Sequence, residues 1–422
     1  MELEKSKSKS MDVALGLTKH LFSKADYQGK NIVFSPFSLQ AALSVMAAGS
    51  KDRTLDELLS FLRFDSIDDL TTFFSQVIFP VLISDAAADA DTDGSHHLCF
   101  ANGIWADDSL SLSHRFKQLV ATHYKATLTA LDFQTTEVHR EVNSWIEKET
   151  DGLITQILPP GAVTGLTKLI FANALLFKAE WKHMFDGITS TYRFRLLNGT
   201  SVVVPFMRTW KRTQYITAFD GFQILRLPYK QGSDTKRSFS MCILLPDKKD
   251  GLSALVQKLS SEPAFFKDKI PLQEVPVSDF RIPRFKISFT FQASNVLKEF
   301  GVVSPFSHQD ANFGKMVDVN SLSDKLYVEN IFHKSFIQVG EKGTEATSAT
   351  VVSGRKRLGG FLGTYFVADH PFLFLIREDF TGTILFVGQV LNPLEGAPVK
   401  KKIPARKRSI TTELRRSSRI RK

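Results

Sequence analysis

The chain has 422 residues, 43% of them apolar and 36 of them Phe, which is ample material for a large core and excludes a mostly disordered protein. No apolar run nears the ~18 residues of a membrane span, and the amino-terminal MELEKSKSKSMDV has no apolar signal core, which argues against the usual secretory route. The formal charge of +10 resides in residues 400–422, where eleven Lys or Arg meet a single Glu, so the pI of about 9.4 does not describe a basic nucleic-acid-binding fold.

In chain order, residues 1–9 read as a flexible terminus. MDVALGLTKHLFSKA then spaces its apolar residues on one helical face, and Ser38 to Met46 continue as an Ala-rich packed helix. The stretch TLDE from Thr54 to Glu57 fits a capping box opening another helix. Residues 84–97, SDAAADADTDGSHH, form an acidic insert of small residues, and helical patterns return at 108–125 and 135–151. From 168 onward strand signals dominate: KLIFANALLF, SVVVPFM, FQILRLPY, SFSMCILLP, VSDFRIPRFKISFTF and PFLFLI, interrupted by one helix near 291–300. The triplet Asn198-Gly199-Thr200 between two strand patterns reads as a hairpin turn. Cys99 and Cys242, far apart and each in apolar surroundings, read as reduced core residues. Helices first and strands later predict an α+β fold rather than alternating βαβ units.

One stretch fits none of these patterns. Residues 340–360, GEKGTEATSATVVSGRKRLGG, place a run of small and β-branched residues beside three consecutive cations. That is strand composition without a strand's large core residues. If 344–353 becomes a central strand, Thr344, Ala346, Ser348, Thr350 and Val352 face inward. Glu345, Thr347, Ala349, Val351 and Ser353 face outward, so the single charge stays on the solvent side. No Pro interrupts the run, and every amide can join a ladder.

The ordered motifs resemble the serpin family, most closely its plant branch, over roughly residues 10–394. NIVFSPFSLQAALSVMAAGS (31–50) looks like the helix behind that family's main sheet. VNSWIEKETDGLITQIL (142–158) and LIFANALLFKAEWKHMF (169–185) resemble the following helix and strand. EKGTEATSAT (341–350) is similar to the hinge motif, and FVADHPFLFLI with GTILFVGQVLNP (366–393) to the C-terminal strands. The resemblance implies one serpin domain over 10–395, with about nine helices around three β-sheets. It also implies an exposed reactive-centre loop at about 341–363 and a metastable body that traps a protease when the cut loop inserts into the largest sheet as an added strand. It implies an inhibitor rather than an enzyme, monomeric and without cofactor or metal.

By the family's spacing, the hinge comprises Glu341, Gly343, Thr344, Glu345, Ala346, Thr347, Ser348, Ala349 and Thr350. The scissile bond falls at Arg357–Leu358, with Arg355 and Lys356 preceding it and each offering an alternative cut. A long cation there suits proteases whose primary pocket ends in a carboxylate, because a guanidinium pairs with carboxylate through two bonds. Trypsin-like serine proteases and Arg/Lys-specific cysteine proteases both qualify as partners. The departure from the family's Ala run at Thr347, Ser348 and Thr350 raises the alternative of a serpin that no longer traps, because an unpaired buried hydroxyl costs about 1–3 kcal/mol. The resemblance also assigns Ser35, Ser38, Asn173 and His333 to the cluster where the central strands part, and Trp181 to the top of the sheet; ordinary core packing is the competing explanation for each.

No G-x-S-x-G elbow, H-E-x-x-H or P-loop is present, and the Cys and His spacings give no zinc site. The tail from 396, expected to be disordered, carries Lys400, Lys401 and Lys402, then Arg406, Lys407 and Arg408, separated by Ile-Pro-Ala. Its pattern resembles a nuclear-import signal, with an import receptor or nucleic acid as possible partner and residence in nucleus or cytoplasm, extracellular residence being the remaining alternative.

Overall fold

The structure is a computed structural model describing residues 2–79, 97–135, 137–164, 167–185, 189–231, 237–262, 269–318, 326–344 and 363–395. The acidic insert before His97, the loop residues 345–362 and the tail from 396 lie outside the described residues, as does the side chain of Cys99.

The first helix, α1, spans Glu2–Ser23 and corrects the flexible terminus expected over 1–9. Glu and Lys are good helix formers, and the segment is tied down. Lys7 pairs with Glu4 at 3.1 Å, Lys9 with Asp65 at 2.9 Å, and the Ser10 hydroxyl donates to Gln40 Oε1 at 2.9 Å. Helix α2 (Pro36–Gly49) is capped by Ser35, whose Oγ accepts the Ser38 amide, and has Pro at its first position. All of its residues are buried, which its small side chains permit.

Helix α3 (Asp52–Leu62) starts two residues before the expected capping box, with Lys51 as its cap. Thr54 and Glu57 still cap backbone, but of another element. Thr54 Oγ1 takes the Asn312 amide at 3.0 Å. Glu57 Oε2 takes the amides of Val303 and Ser304 at 2.8 and 2.7 Å, at the 3₁₀ turn Ser304–Phe306. After α4 (Ile67–Thr72) and its π-helical continuation Phe73–Ile78 come α5 (His114–His123), α6 (Glu137–Glu149), α7 (Leu252–Ser261) and α8 (Ala293–Glu299). Eight α-helices are thus present among the described residues.

Six strands form the sheet that matters most: β2 (His97–Asp107), β3 (Thr127–Leu131), β4 (Leu169–Glu180), β11 (Phe285–Gln292), β12 (Ile331–Val339) and β13 (Gly343–Thr344), in the order β11-β12-β13-β4-β2-β3. The other ten are β1 (Ile32–Phe34), β5 (Ser190–Arg195), β6 (Ser201–Met207), β7 (Thr213–Phe219), β8 (Phe222–Pro228), β9 (Phe239–Pro246), β10 (Glu274–Pro283), β14 (Thr364–Val367), β15 (Phe372–Glu378) and β16 (Ile384–Val390). These run β1-β16-β15-β9-β8-β7-β10-β6-β5, with β14 on β10. The three sheets expected are thus two by hydrogen bonding. One end of β10 pairs with β7 at Glu274–Pro276, its other end pairs with β6 at Ile282 and Pro283, and β14 lies parallel alongside. VSDFRIPRFKISFTF is likewise two strands; the chain leaves one sheet after Pro283 and enters the other at Phe285. The hairpin at Asn198 is as expected, with Gly199 at φ 82° and Asn198 Oδ1 accepting the Thr200 amide at 3.0 Å.

Strand β4 explains its unbroken apolar run by having two covered faces. Leu169, Phe171, Leu175 and Phe177 enter the main core with α2. Ile170, Ala172 and Ala174 enter a second core beneath Val138, Val142 and Ile146 of α6. Asn173 breaks the run on the main-core face, and that face is where the site lies.

Candidate functional site

Strands β12 and β4 are parallel neighbours only at Ile331–His333 against Phe171–Asn173. Beyond that point they part. At the far end, Gly343 and Thr344 of β13 sit between them, antiparallel to both: Thr344 opposes Val339 on one side and Ala179 on the other, and Gly343 opposes Glu180. The chain climbs β12, turns at 340–342, and Gly343 and Thr344 re-enter the sheet at the head of a cleft, where they form a wedge between the two strands.

Each residue of the wedge is held by a specific contact. A Cβ on Gly343 would lie 1.9 Å from the Ala179 carbonyl oxygen, so only glycine fits. The close approach of β4 imposes this, not the backbone reversal that the hinge position suggests. Thr344 is 3% exposed, and its hydroxyl is 2.7 Å from the Tyr229 hydroxyl. Tyr229 stacks on Trp181 at 4.5 Å, and burial pushes its phenol pKa up, so it stays protonated. Trp181 in turn clamps the turn: its indole Nε1 donates to the Gly340 carbonyl at 2.9 Å and its backbone amide to the Lys342 carbonyl at 2.8 Å. Glu341 accepts from Arg284 at 3.3 Å and from the Thr189 hydroxyl. The aromatic at the top of the sheet and the charge before the hinge thus act on the same turn. Tyr229 and Arg284 went unnoticed in the sequence because each reaches the hinge only through tertiary contact.

The cluster at the closed end also comes together. His333 is buried, and burial pushes its pKa down to about 3, so the ring is neutral. The Ser35 amide donates to His333 Nε2 at 3.1 Å, and the Ser335 hydroxyl lies 3.0 Å from the same nitrogen. That assigns the proton to Nδ1. Ser35 also accepts the Ser38 amide at 3.0 Å, which links the histidine to the first turn of α2. Asn173 Nδ2 donates to Asn102 Oδ1 at 2.7 Å, a partner on β2 with no local sequence signal. Asn173 Oδ1 and His333 Nδ1, on two directly paired residues, have no hydrogen-bond partner among the described residues. One is an acceptor and the other a donor, both buried, which is a costly arrangement in a closed state.

The remaining hinge positions Glu345, Ala346, Thr347, Ser348, Ala349 and Thr350, the basic residues Arg355 and Lys356, and the bond Arg357–Leu358 lie outside the described residues, as do Lys400–Lys402 and Arg406–Arg408. Carboxylates of Asp107, Asp108 and Asp132 lie within 4.8 Å of one another. Asp107 is already bound by Lys168 at 2.7 Å and by the Phe133 amide, which leaves little capacity for a metal. No helix among the described residues is long and apolar enough to cross a membrane.

Comparisons with known proteins agree with this geometry. The serpin (serine protease inhibitor) family matches residues 8–393. Serpin-ZX of Arabidopsis thaliana is 47% identical over 401 residues, covering 93% of this chain and 100% of that protein. Serpin-ZXA of Oryza sativa is 48% identical over 373 residues, covering 87% and 92%. The solved structure of Arabidopsis AtSerpin1 in its native stressed conformation superposes with a TM-score of 0.82 at 45% identity, covering 93% and 99%. The chain therefore belongs to the serpin family, in its plant Serpin-Z group, and is a protease inhibitor rather than an enzyme.

Proposed function

We propose that this serpin traps Arg/Lys-specific endopeptidases covalently, presenting Arg357–Leu358 as the cut bond and inserting the cut loop between β12 and β4. The observation that carries this reading is the register of the wedge. With Gly343 opposite Glu180 and Thr344 opposite Ala179 and Val339, each further loop residue advances one position down both flanking strands. Ala346 then comes between Phe177 and Ile337, where a small side chain is needed beside two large ones. Ser348 comes between Leu175 and Ser335, whose hydroxyl is a ready partner. Thr350 comes between Asn173 and His333, the two residues with an orphaned acceptor and an orphaned donor. One hydroxyl donates to Asn173 Oδ1 and accepts from His333 Nδ1–H. The departures from an Ala run thus meet polar partners, and the hydroxyls that counted against insertion favour it.

Thr350→Val tests that register. It keeps shape and removes the hydroxyl, leaving both groups unpaired in the inserted form at about 1–3 kcal/mol each. The loop-cut variant is expected to melt several degrees below the loop-cut parent while the uncut proteins melt together; equal melting of the cut forms would refute the register. Mixing the protein with trypsin tests the trap itself: a complex surviving SDS is expected, and Arg357→Ala is expected to reduce it at least tenfold. A loop cut after 357 with no complex would leave a non-inhibitory serpin fold, whose strongly basic tail then becomes the functional part.

For that tail we propose nuclear import or polyanion binding through Lys400–Lys402 and Arg406–Arg408, with the body acting as a monomer. Deleting 400–422 from a fluorescent fusion is expected to lower its nuclear share; an unchanged distribution would refute the import role.

A further inference from the structure

We propose that the groove between α1, α3 and the end of α8 is a docking site for this chain's own basic tail, residues 400–422. The groove has a volume of about 520 Å3, and its lining includes Asp12, Gly16, Asp56, Glu57, Phe61, Arg63 and Phe300. Three carboxylates against one guanidinium leave the lining with an excess of negative charge. Arg63 is already engaged by Asp12 at 2.7 Å, and Arg53 is held by Glu57 at 2.8 Å outside it. Asp56 is exposed and makes no ion pair among the described residues.

Two further features shape the groove for long cationic side chains. Phe300 is 39% exposed and packs edge-on against Phe61 at 5.5 Å, giving an aromatic wall whose free surface suits an Arg guanidinium. Gly16 lies in the interior of α1, where glycine costs about 1 kcal/mol relative to Ala. A Cβ there would meet nothing within 4 Å, so neither packing nor backbone geometry calls for glycine. Its effect is to keep the floor of the groove one methyl deeper.

The occupant follows from charge and reach. Residues 400–422 carry eleven Lys or Arg and one Glu, with Leu414 and Ile420 among the arginines. The described chain ends at Glu395, whose carboxylate accepts the Asn31 amide at 3.2 Å. Asn31 follows the end of α1 by eight residues of sequence, and Gly16 lies about 10 Å back from that end along the helix. The 27 residues that follow Glu395 have a coil dimension of about 30 Å and an extended length about three times that, which gives the tail the reach to explore this face. Docking there would hold the cationic tail against the body and away from anionic partners.

The test uses the full chain treated with a carbodiimide, which couples Lys amines to carboxylates in contact, and maps cross-linked peptides from the monomer band. Links from the tail lysines to Asp56 or Asp12 are expected. Asp56→Lys reverses the charge and Gly16→Phe fills the groove at a position with free space for a Cβ, and each is expected to cut the links to Asp12 at least fivefold without lowering the melting temperature. Links spread over acidic residues elsewhere, links undiminished in both variants, or links confined to dimers would each overturn the proposal.

Discussion

Thr344→Arg is expected to convert the inhibitor into a plain substrate: trypsin cuts the loop at the parental rate, and the SDS-stable adduct falls at least fiftyfold. Thr344 is the first inward residue of the inserting strand, 3% exposed and hydrogen-bonded to Tyr229 beneath the Trp181 stack. Arginine at that position must either stay outside the sheet or bury an unpaired guanidinium, and an uncompensated buried charge costs about 3–5 kcal/mol. A barrier raised by about 3 kcal/mol slows a step by more than a hundredfold. In the proposed mechanism trapping is a race between insertion and the completion of proteolysis, so such a delay decides the outcome. The uncut protein remains folded, because Ile331–His333 still pair with Phe171–Asn173 and close the sheet below the wedge. The measurement is the ratio of adduct to cut monomer on a denaturing gel. An unchanged ratio would mean that insertion does not begin at Thr344.

The parts of this machine that were legible in the sequence are those with local grammar. The Ala-rich run from Ser38 to Met46 marks the body of α2, and the unbroken apolar run of β4 marks a buried strand. Family resemblance supplied the pairing of distant residues such as His333 with Asn173. What was illegible is what depends on approach between segments. Tyr229 closes a strand pattern like any other aromatic, yet its partner Thr344 is 115 positions away. Gly343 was readable as a flexible joint, whereas the constraint is a carbonyl oxygen of β4 occupying the place of a side chain. Thr54 and Glu57 have the spacing of a capping box, but the orphan amides they satisfy belong to Asn312, Val303 and Ser304. The sheet change after Pro283 leaves no mark, because both halves of VSDFRIPRFKISFTF are good strands. Each miss is a tertiary partner satisfying a group that local rules assign elsewhere.

Acid should weaken the native state through His333, and His333→Gln should remove that weakness. The ring is neutral in the closed sheet, with its pKa pushed down to about 3 by burial, while an unfolded histidine titrates near pH 6.5. Above pH 6.5 neither state binds the proton, so the contribution is fully present. Between pH 6.5 and about 3 only the unfolded state binds it, and stability falls by about 1.4 kcal/mol per pH unit. At pH 5 the loss amounts to about 2 kcal/mol, approaching about 5 kcal/mol near pH 3. Glutamine retains a side-chain oxygen to accept the Ser35 amide, the bond that joins β12 to the start of α2, and has no titration in this range. Denaturant midpoints of the uncut proteins, measured from pH 7.5 to 5, isolate the effect, because the carboxylates and other histidines titrate alike in both. The parent is expected to lose about 2 kcal/mol more than the variant across that interval. Parallel curves would mean that His333 accepts a proton without leaving the cluster, and the buried neutral ring would then not be what holds the lower sheet closed.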